Sequence, residues 1–366
     1  MKNKSLLVAT AMLLSLGACQ DDDSPTINYP TLNGKAPLVV AHRGASGLRP
    51  EHTLASYTLA IEQGADFIEQ DLVLTKDCVL VCRHEPMLSG TTNVADLPQF
   101  ASRKTTKLVD GVPYNDWFAG DFTLAEIKTL RARQAMADRP QQYNDQYQIP
   151  TFEEVIALAK AKAAILGYPI GIYPETKHPT FHEKEQKLPL TNKLLEALDK
   201  AGWNTKDAPV FVQSFEVANL RYIREKSTVK LVQLLDADDV DANGNLVMKA
   251  PYAQPYDFVV AGDKRTFYDL STDAGLDFIK TYANGIGPWK PYIQSYTPEK
   301  MLPPTNLIAR AHQRGLLVHA FTFRNEPRYL LKEYNNNPTA EYRNFYKLGI
   351  DGVFSDFPAT AAAAVE

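Results

Sequence analysis

Short apolar runs alternate with longer stretches of mixed polarity along the chain from residue 37 onward. Runs of about four to eight apolar residues, bounded by turn-forming residues, are typical of buried β-strands. The pattern predicts eight strands, at residues 38–41, 66–72, 170–174, 210–214, 230–235, 285–287, 316–321 and 352–355.

Helical periodicity fills most of the segments between these runs. It predicts helices at residues 53–63, 123–131, 152–162, 188–201, 217–225, 273–282, 304–314 and 341–348. Strands that alternate with helices are typical of parallel βα units, and eight such units in a chain of this length favour a closed (β/α)8 TIM barrel. An open, doubly wound parallel sheet is the alternative.

Two segments interrupt the repeat. Residues 78–84 are predicted to form a short strand that pairs back near the second barrel strand, and residues 88–150 to form an inserted subdomain over the barrel mouth. A second insertion, at residues 236–269, contains DADDVDANGN. This acidic run lacks the glycine at the sixth position and the final glutamate of an EF-hand, so we interpret it as a solvated loop.

The N-terminus has the pattern of a targeting signal. Lys2 and Lys4 precede an apolar run at residues 6–16, which is too short for a permanent membrane span. The run ends in Leu-Gly-Ala-Cys and resembles a bacterial lipoprotein signal, which implies a lipidated Cys19, membrane attachment and a location in the periplasm or outer membrane. The alternative is an ordinary signal cleaved after Ala18. We expect residues 19–36 to form a polar tether and residues 37–366 the folded domain.

Charge and cysteine content exclude some classes of function. The formal net charge is −4, or −6 once residues 1–18 are removed, and no basic run is present. Nucleic acid is therefore not an expected partner, because its binding depends on clustered Lys and Arg. The other two cysteines, Cys78 and Cys82, are predicted to be buried free thiols, and a C-x3-C metal site is the disfavoured alternative.

Three carboxylates are predicted to meet at the barrel mouth. Glu69 and Asp71 are two positions apart on one strand, so their side chains lie on the same face. Glu175 follows another strand, with Lys177 two residues later on the same side. Active sites of such barrels lie at the C-terminal ends of the strands. Closely spaced carboxylates require a cation, and oxygen ligands select Ca²⁺ or Mg²⁺ rather than zinc. A plain ion pair between Glu175 and Lys177 is the alternative.

Two histidines follow strands at the same expected mouth. His42 closes the first strand and His84 the short extra strand, and imidazoles with pKa values near neutrality suit a pair of proton acceptor and donor. Arg43 follows His42 directly. Gly44 and Gly47 are predicted to permit a tight turn and a close backbone approach to a ligand.

Four segments of the chain form a specific combination. They are AHRGASGLRPEHTLASYTLAIEQGADFIEQDLV, RHE, YPETK and DGVFSDFP, which span roughly residues 38–358. Together they resemble the glycerophosphodiester phosphodiesterase family, in particular its periplasmic bacterial branch. The order of HRG, PEHT, E-x-D and E-x-K is specific, whereas each motif alone is weak. The resemblance implies the same TIM barrel, with an insertion after the second strand.

The resemblance also implies residue roles. The reaction is a metal-dependent hydrolysis of a glycerophosphodiester to sn-glycerol 3-phosphate and an alcohol, with Ca²⁺ favoured and Mg²⁺ the alternative. The implied base and acid are His42 and His84, the phosphate contacts are Arg43 and Lys177, and the metal ligands are Glu69, Asp71 and Glu175. Whether water or a glycerol hydroxyl attacks phosphorus stays open.

One departure from the family pattern leaves alternatives open. Glu85 follows His84 where the family usually has Asp, and the extra methylene is expected to affect turnover or substrate choice. One alternative function is a related phosphodiesterase that acts on intact phospholipid or teichoic acid. The other is a catalytically silent surface lipoprotein that binds a ligand.

Other polar and aromatic residues have weaker signals. His52 precedes the expected helix N-cap Thr53 and is interpreted as a hydrogen-bonding loop residue. His178 and His182 lie in the loop after the E-x-K motif, where His182 is a candidate for the leaving-group side. Four aromatic residues near strand ends are candidates for a glycerol pocket or equally for core packing: Phe215, Trp289, Phe321 and Phe323.

Overall fold

Parallel strands form the centre of the fold in the computed structural model, which describes residues 28–365. Eight of the strands, β1, β2, β6, β7, β8, β11, β12 and β13, pair in parallel as one ring. The strands are β1 Leu38–Ala41, β2 Phe67–Leu74, β3 Leu80–Cys82, β4 Thr105–Val109, β5 Val112–Asp116, β6 Gly171–Thr176, β7 Phe211–Ser214, β8 Lys230–Leu235, β9 Asp239–Val240, β10 Leu246–Val247, β11 Gly285–Pro288, β12 Leu317–Phe323 and β13 Gly352–Ser355.

The ring closes because strand β1 has a neighbour on each side. It pairs with β13 in the register Val39 to Val353 and with β2 in the register Val40 to Phe67. The predicted TIM barrel is therefore confirmed, and the open doubly wound alternative is wrong. All eight predicted strands are present, most within one or two residues of the expected bounds.

Helices cover the outside of the barrel. They are α1 Leu54–Glu62, α2 Leu124–Ile127, α3 Phe152–Leu166, α4 Leu190–Ala201, α5 Val217–Lys226, α6 Tyr256–Ala261, α7 Phe267–Leu270, α8 Asp273–Lys280, α9 Leu307–Gln313, α10 Pro338–Leu348 and α11 Pro358–Ala363. Helix α2 is shorter than the predicted 123–131 because the chain beyond it forms a β-bridge from Ala132 to Thr92. Helix α9 starts later than predicted because Thr305 is held by the backbone of residues 292 and 293.

Side chains point alternately inward and outward along each barrel strand, which produces two apolar layers. Side chains that point outward from the strands pack under the helices in the main core. Those that point inward fill the barrel, where the phenol of Tyr173 contacts His319 Nδ1 at 2.8 Å. The interior cluster is Val40, Tyr173, Phe211, Val232 and Phe354. Because this cluster fills the lower barrel, polar side chains are confined to the C-terminal mouth.

The segment after β3 has its own small core. Strand β3 pairs antiparallel with the end of β2, as predicted. Residues 88–150 then contain the antiparallel hairpin β4–β5 and helix α2, packed around buried Phe100, Trp117 and Phe122. The second insertion is more ordered than the predicted solvated loop, because β9 and β10 form a small hairpin. Asp241 stabilises its turn by accepting hydrogen bonds from the backbone of Asn243 and Asn245.

The cysteine prediction is only half right. Both Cys78 and Cys82 are free, and Cys82 is buried on strand β3. Cys78 is half-buried, since it lies in the turn before that strand with a φ of 59° rather than on the strand itself. Between residues 28 and 365 no helix combines the length and apolarity needed to cross a bilayer.

Candidate active site

A cavity of about 270 Å³ opens at the C-terminal mouth of the barrel. Its lining includes every predicted site residue that lies within the described part of the chain: His42, Arg43, Glu69, Asp71, His84, Glu175 and Lys177. The geometry brings these residues together, whereas the individual roles assigned to them stay predictions. The predicted lipidation residue, Cys19, lies outside the described residues.

The three carboxylates come from two adjacent strands. Glu69 and Asp71 point inward from β2, and Glu175 on β6 is the direct partner of Asp71 in the strand register. All three are buried. Burial and the charges of the other two carboxylates raise the pKa of Glu69 well above its usual value. Burial raises the pKa of Glu175 to about 8, with the Lys177 charge opposing and the Asp71 charge adding to the shift.

A fourth side chain, His52, joins this cluster. Ligand-type atoms of His52, Glu69 and Asp71 lie within 4.8 Å of one another. His52 Nε2 is 2.8 Å from Asp71 Oδ2, and its Nδ1 is 2.7 Å from the Tyr57 hydroxyl. Both ring nitrogens are therefore occupied, so His52 orients Asp71. The predicted hydrogen-bonding role of His52 is correct, but its partner in the site could not be foreseen.

The cluster fits a divalent cation. Asp71 Oδ1 is buried and has no hydrogen-bond partner among residues 28–365. An unpaired carboxylate oxygen beside two further buried carboxylates is costly unless a positive charge joins them. Lys177 Nζ lies 3.0 Å from Glu175 and satisfies part of this charge. Oxygen donors of this kind suit Ca²⁺ or Mg²⁺.

Arg43 lies in a turn with unusual backbone geometry. Its φ of 59° places it in the left-handed region, which is uncommon for a residue with a side chain. The turn lets the Arg43 amide donate a hydrogen bond of 2.6 Å to Glu69 Oε2, while the guanidinium lies 2.9 Å from Glu51 and 3.5 Å from Asp71. Arg43 is therefore fixed over the carboxylate cluster through both its backbone and its side chain.

The nearby glycines permit close packing within the protein. A Cβ at Gly44 would lie 2.4 Å from Ser56 Oγ, and one at Gly47 would lie 2.3 Å from the ring of Phe357. Gly44 also has a φ of 84°. The prediction of a tight turn is correct. Within the protein, the close approach is to helix α1 and the C-terminal segment, and the predicted approach to a ligand stays a prediction.

His42 is held by a carboxylate that the sequence did not assign to the site. Its Nδ1 lies 2.6 Å from Asp356 Oδ1. The second oxygen of Asp356 accepts hydrogen bonds from Arg139 at 2.6 Å and Arg324 at 3.0 Å. Burial and the adjacent Arg43 charge lower the pKa of His42 to about 4. The imidazole is therefore neutral at pH 7.

His84 has a matching arrangement on the other side of the cavity. Its Nδ1 lies 2.8 Å from Glu85 Oε1, and its Nε2 lies 3.4 Å from Lys177 Nζ. Burial and the charges of Arg43 and Lys177 lower the pKa of His84. Each of the two histidines thus has a carboxylate at Nδ1 and turns Nε2 toward the cavity.

Glu85 also links the site to the inserted hairpin. Its Oε2 lies 3.1 Å from His178 Nε2, and His178 Nδ1 lies 2.6 Å from Asp110 at the tip of hairpin β4–β5. Although burial opposes the charged form, the hydrogen bonds to Asp110 and Glu85 raise the pKa of His178 to about 10. Glu85, in the position where the family usually has Asp, therefore binds two histidines.

Sequence reasoning missed several supporting residues. Glu51 and Asp356 lie within the quoted PEHT and DGVFSDFP motifs, which was the only signal for them. Arg83 is fully buried and donates to the backbone carbonyls of Glu51 and His52, which fixes that loop. Arg139 comes from the insertion, and no motif or periodicity in the sequence indicated its place in the site.

The remaining candidates differ in their position relative to the cavity. Phe215 and Phe321 line the cavity and also pack against the apolar core clusters, and His178 lines the cavity. Trp289 instead packs against the main core and Phe323 lies inside it, which confirms the core-packing interpretation for those two residues. His182 is buried outside the cavity lining, so its predicted place on the leaving-group side is wrong.

Comparisons with known proteins identify the family. The model of the glycerophosphoryl diester phosphodiesterase family matches residues 42–360. The chain is 38% identical to glycerophosphodiester phosphodiesterase GDPD6 of Arabidopsis thaliana, over 96% of this chain and 92% of that protein. It is 30% identical to a glycerophosphodiester phosphodiesterase of Haemophilus influenzae, over 98% of both chains.

Solved structures share the fold. A putative glycerophosphoryl diester phosphodiesterase from Silicibacter pomeroyi matches with a TM-score of 0.62 and 19% identity, over 92% of this chain and 97% of that one. An Oleispira antarctica phosphodiesterase in complex with sn-glycerol 3-phosphate matches with a TM-score of 0.57 and 22% identity, over 92% and 99%. With the family model covering most of the chain, the protein belongs to the glycerophosphoryl diester phosphodiesterase family of enzymes.

Proposed function

We propose that the protein hydrolyses glycerophosphodiesters to sn-glycerol 3-phosphate and an alcohol, with the help of a divalent cation. The observation that supports this most directly is a single cavity with three kinds of charged or titratable side chain. It contains two histidines that each contact a carboxylate, the cationic side chains of Arg43 and Lys177, and three buried carboxylates. Relatives named as glycerophosphodiester phosphodiesterases, similar over nearly the whole chain, favour the same reaction over a silent binding protein.

Glu69, Asp71 and Glu175 would hold the cation, with His52 orienting Asp71. Their all-oxygen donor set favours Ca²⁺, with Mg²⁺ as the alternative. When bound, the cation supplies Lewis-acid stabilisation of negative charge on a phosphate oxygen. Lys177, 3.0 Å from Glu175, holds that carboxylate in place from the cavity side.

Arg43 and Lys177 would bind the phosphate of the diester. Carboxylate neighbours, which outweigh the opposing effect of burial, raise the pKa values of both side chains, so both stay positively charged across the working pH range. A guanidinium and an ammonium on one side of an anion stabilise the charge that builds on its oxygens during substitution at phosphorus.

His42 would act as the base. Asp356 accepts a hydrogen bond from the Nδ1–H group of neutral His42. The lone pair of Nε2 is then free to take a proton from the attacking hydroxyl group of water or glycerol. As that proton moves to His42, the new bond forms between the hydroxyl oxygen and phosphorus. The Asp356 carboxylate then stabilises the imidazolium.

His84 would act as the acid. Burial and the charges of Arg43 and Lys177 lower its pKa. Binding of an anionic phosphate beside these two charges raises that pKa and lets His84 take up a proton. The protonated Nε2 gives this proton to the alkoxide oxygen as its bond to phosphorus breaks. Glu85 holds the opposite ring nitrogen throughout.

The direct test is hydrolysis of glycerophosphocholine by the purified protein, with and without EDTA, followed by an assay for sn-glycerol 3-phosphate. We expect product only without EDTA. His42→Ala and His84→Ala should each lower the rate by roughly 10²- to 10⁴-fold. His312→Gln, on helix α9 outside the cavity, is the control. Wild-type turnover in either catalytic variant would remove that histidine from the mechanism.

Intact phospholipid is a second candidate substrate. Leu108 on β4 and Tyr252 in the second insertion are about half exposed on segments that border the cavity, and exposed apolar groups near an entrance favour a lipid. The cavity of about 270 Å³ favours the small diester instead. Phosphatidylcholine vesicles in the same assay distinguish these substrates, and release of choline with formation of phosphatidate would favour the lipid.

We also propose that the protein is a lipoprotein, anchored through Cys19 in the periplasm or outer membrane. The support is the residue pattern before Cys19. Expression of the full chain with labelled palmitate should label the wild type and leave Cys19→Ala unlabelled and released from the membrane fraction. Equal release of both proteins would favour an ordinary cleaved signal.

A further inference from the structure

Two inserted segments line the outer part of the cavity. The hairpin β4–β5 contributes Asp110 and Tyr114, and the chain before and into helix α6 contributes Tyr252 and Tyr256. None of these residues has a part in the proton transfers or in the cation cluster. They therefore form an entrance whose chemistry is separate from that of the reacting groups.

The two segments lie close together. A Cβ built on Gly111, at the hairpin tip, would lie 3.7 Å from the ring of Tyr256. Asp110, the preceding residue, is 2.6 Å from His178 Nδ1. The hairpin tip thus lies between the second insertion and the loop after β6. These neighbours fix the position of the backbone that carries the aromatic side chains.

The entrance carries excess negative charge. Asp110 and Glu85 share one imidazole, that of His178, so two carboxylates face one positive group. Asp110 Oδ1 is buried and has no hydrogen-bond partner among the described residues.

We propose that Tyr114, Tyr252 and Tyr256, with the Asp110 carboxylate, bind the head group of the diester when that group is a quaternary ammonium ion, as in choline. Aromatic faces beside carboxylates attract organic cations, because the negative face of each ring and the carboxylate charge act in the same direction. This inference rests on the proposed function, which assigns the phosphate of the diester to Arg43 and Lys177.

The placement of charges favours this choice over a neutral alcohol. Arg43 and Lys177 supply the positive side chains of the proposed phosphate site, and Asp110 supplies a carboxylate at the entrance. A zwitterionic diester with an anionic phosphate and a cationic head group matches both ends. A glycerol or inositol head group contacts the same rings without the electrostatic gain.

The test compares three diesters that share the glycerol phosphate half. They are glycerophosphocholine, its uncharged isostere with a tert-butyl group in place of trimethylammonium, and glycerophosphoglycerol. We expect the metal-loaded wild-type enzyme to show a kcat/KM roughly tenfold higher for the choline ester than for the isostere. Tyr252→Ala and Tyr114→Ala should each reduce that ratio several-fold.

Tyr168→Ala is the matched control, because Tyr168 is a comparably exposed tyrosine before β6, at the opposite end of the barrel. It should leave the ratio unchanged. Equal kcat/KM values for the choline ester and its isostere would overturn the subsite. The same holds if Tyr252→Ala and Tyr114→Ala lower kcat/KM equally for all three substrates. Failure to hydrolyse any of the three diesters would instead overturn the proposed function on which the subsite rests.

Discussion

Asp356 Oδ1 lies 2.6 Å from His42 Nδ1, so a carboxylate from the last barrel strand region fixes the imidazole that closes the first strand. The same carboxylate accepts hydrogen bonds from Arg139 and Arg324. These contacts outweigh burial and hold the pKa of Asp356 well below its usual value. The carboxylate therefore stays ionised and keeps the His42 proton on Nδ1.

Asp356→Asn is expected to lower kcat by about 10²- to 10⁴-fold with little change in KM, because an amide can bind the wrong tautomer of His42. The measurement is kcat and KM for glycerophosphocholine. Asp277→Asn, which alters an exposed carboxylate paired with Arg314, is the control and should have no effect. A variant of Asp356 with normal kcat would show that His42 does not need this partner.

Glu85→Asp tests the departure from the family pattern. The shorter side chain cannot bind His84 and His178 at the same time, so we expect one contact to be lost and kcat to fall about three- to tenfold. Glu85→Gln removes the negative charge from both contacts and should lower kcat further than Glu85→Asp does. An increase in kcat for Glu85→Asp would mean that the longer side chain restrains His84 rather than orienting it.

The pH dependence of kcat/KM tests the role of His42. The base must be neutral, so activity is lost as the pH falls through its pKa, which burial and Arg43 lower to about 4. We expect the acidic limb to lie well below pH 6.5. Arg43→Gln should move this limb toward 6.5 in addition to lowering the rate. Incubation at low pH followed by assay at pH 7 controls for unfolding, and a wild-type limb at 6.5 would contradict the assignment.

The sequence predicted the barrel and the side chains that meet at its mouth because both depend on local patterns. Strand periodicity determines that Glu69 and Asp71 share an inward face, and the end of each apolar run marks the mouth. The cluster with Glu175 follows once neighbouring strands are parallel. These inferences need only the order of strands and the alternation of side chains.

The supporting contacts were not predictable because they join distant parts of the chain. Arg139 reaches Asp356 across 217 positions, from an insertion without periodicity. Cys78 was misplaced because a turn residue with positive φ interrupts an apparently continuous strand. The partner of Glu85 is another such case, since His178 comes from a loop 93 positions later. Loop conformation decides these contacts, and the hydrophobic pattern does not record it.

Removal of one carboxylate should separate cation binding from stability. In the metal-free protein, Glu175→Gln removes both the repulsion with Asp71 and the ion pair with Lys177, so we expect a Tm close to that of the wild type. Calcium at a hundredfold excess over its Kd should raise the wild-type Tm by about 5 °C but leave Glu175→Gln almost unchanged. Activity of the variant should fall by at least about 10²-fold.

Glu216→Gln is the matched control for that experiment. Burial also raises the pKa of Glu216 to about 8, but its oxygens bind the backbone and hydroxyl of Thr180 rather than the carboxylate cluster. It should retain the full calcium-induced rise in Tm. Equal calcium responses in wild type and Glu175→Gln would exclude Glu175 as a ligand.

The charge of His178 should make the stability of the folded protein fall at alkaline pH. Hydrogen bonds to Asp110 and Glu85 outweigh burial and raise its pKa from 6.5 to about 10, so the folded protein holds this proton more tightly than the unfolded chain. The resulting stabilisation is fully present below pH 6.5 and is lost as the pH rises toward 10. Urea unfolding at pH 6, 8 and 10 should therefore show a steeper fall in the free energy of unfolding for the wild type than for His178→Gln. Parallel pH profiles for the two proteins would mean that His178 is not charged in the folded state, and the bridge between the hairpin and Glu85 would then be a neutral one.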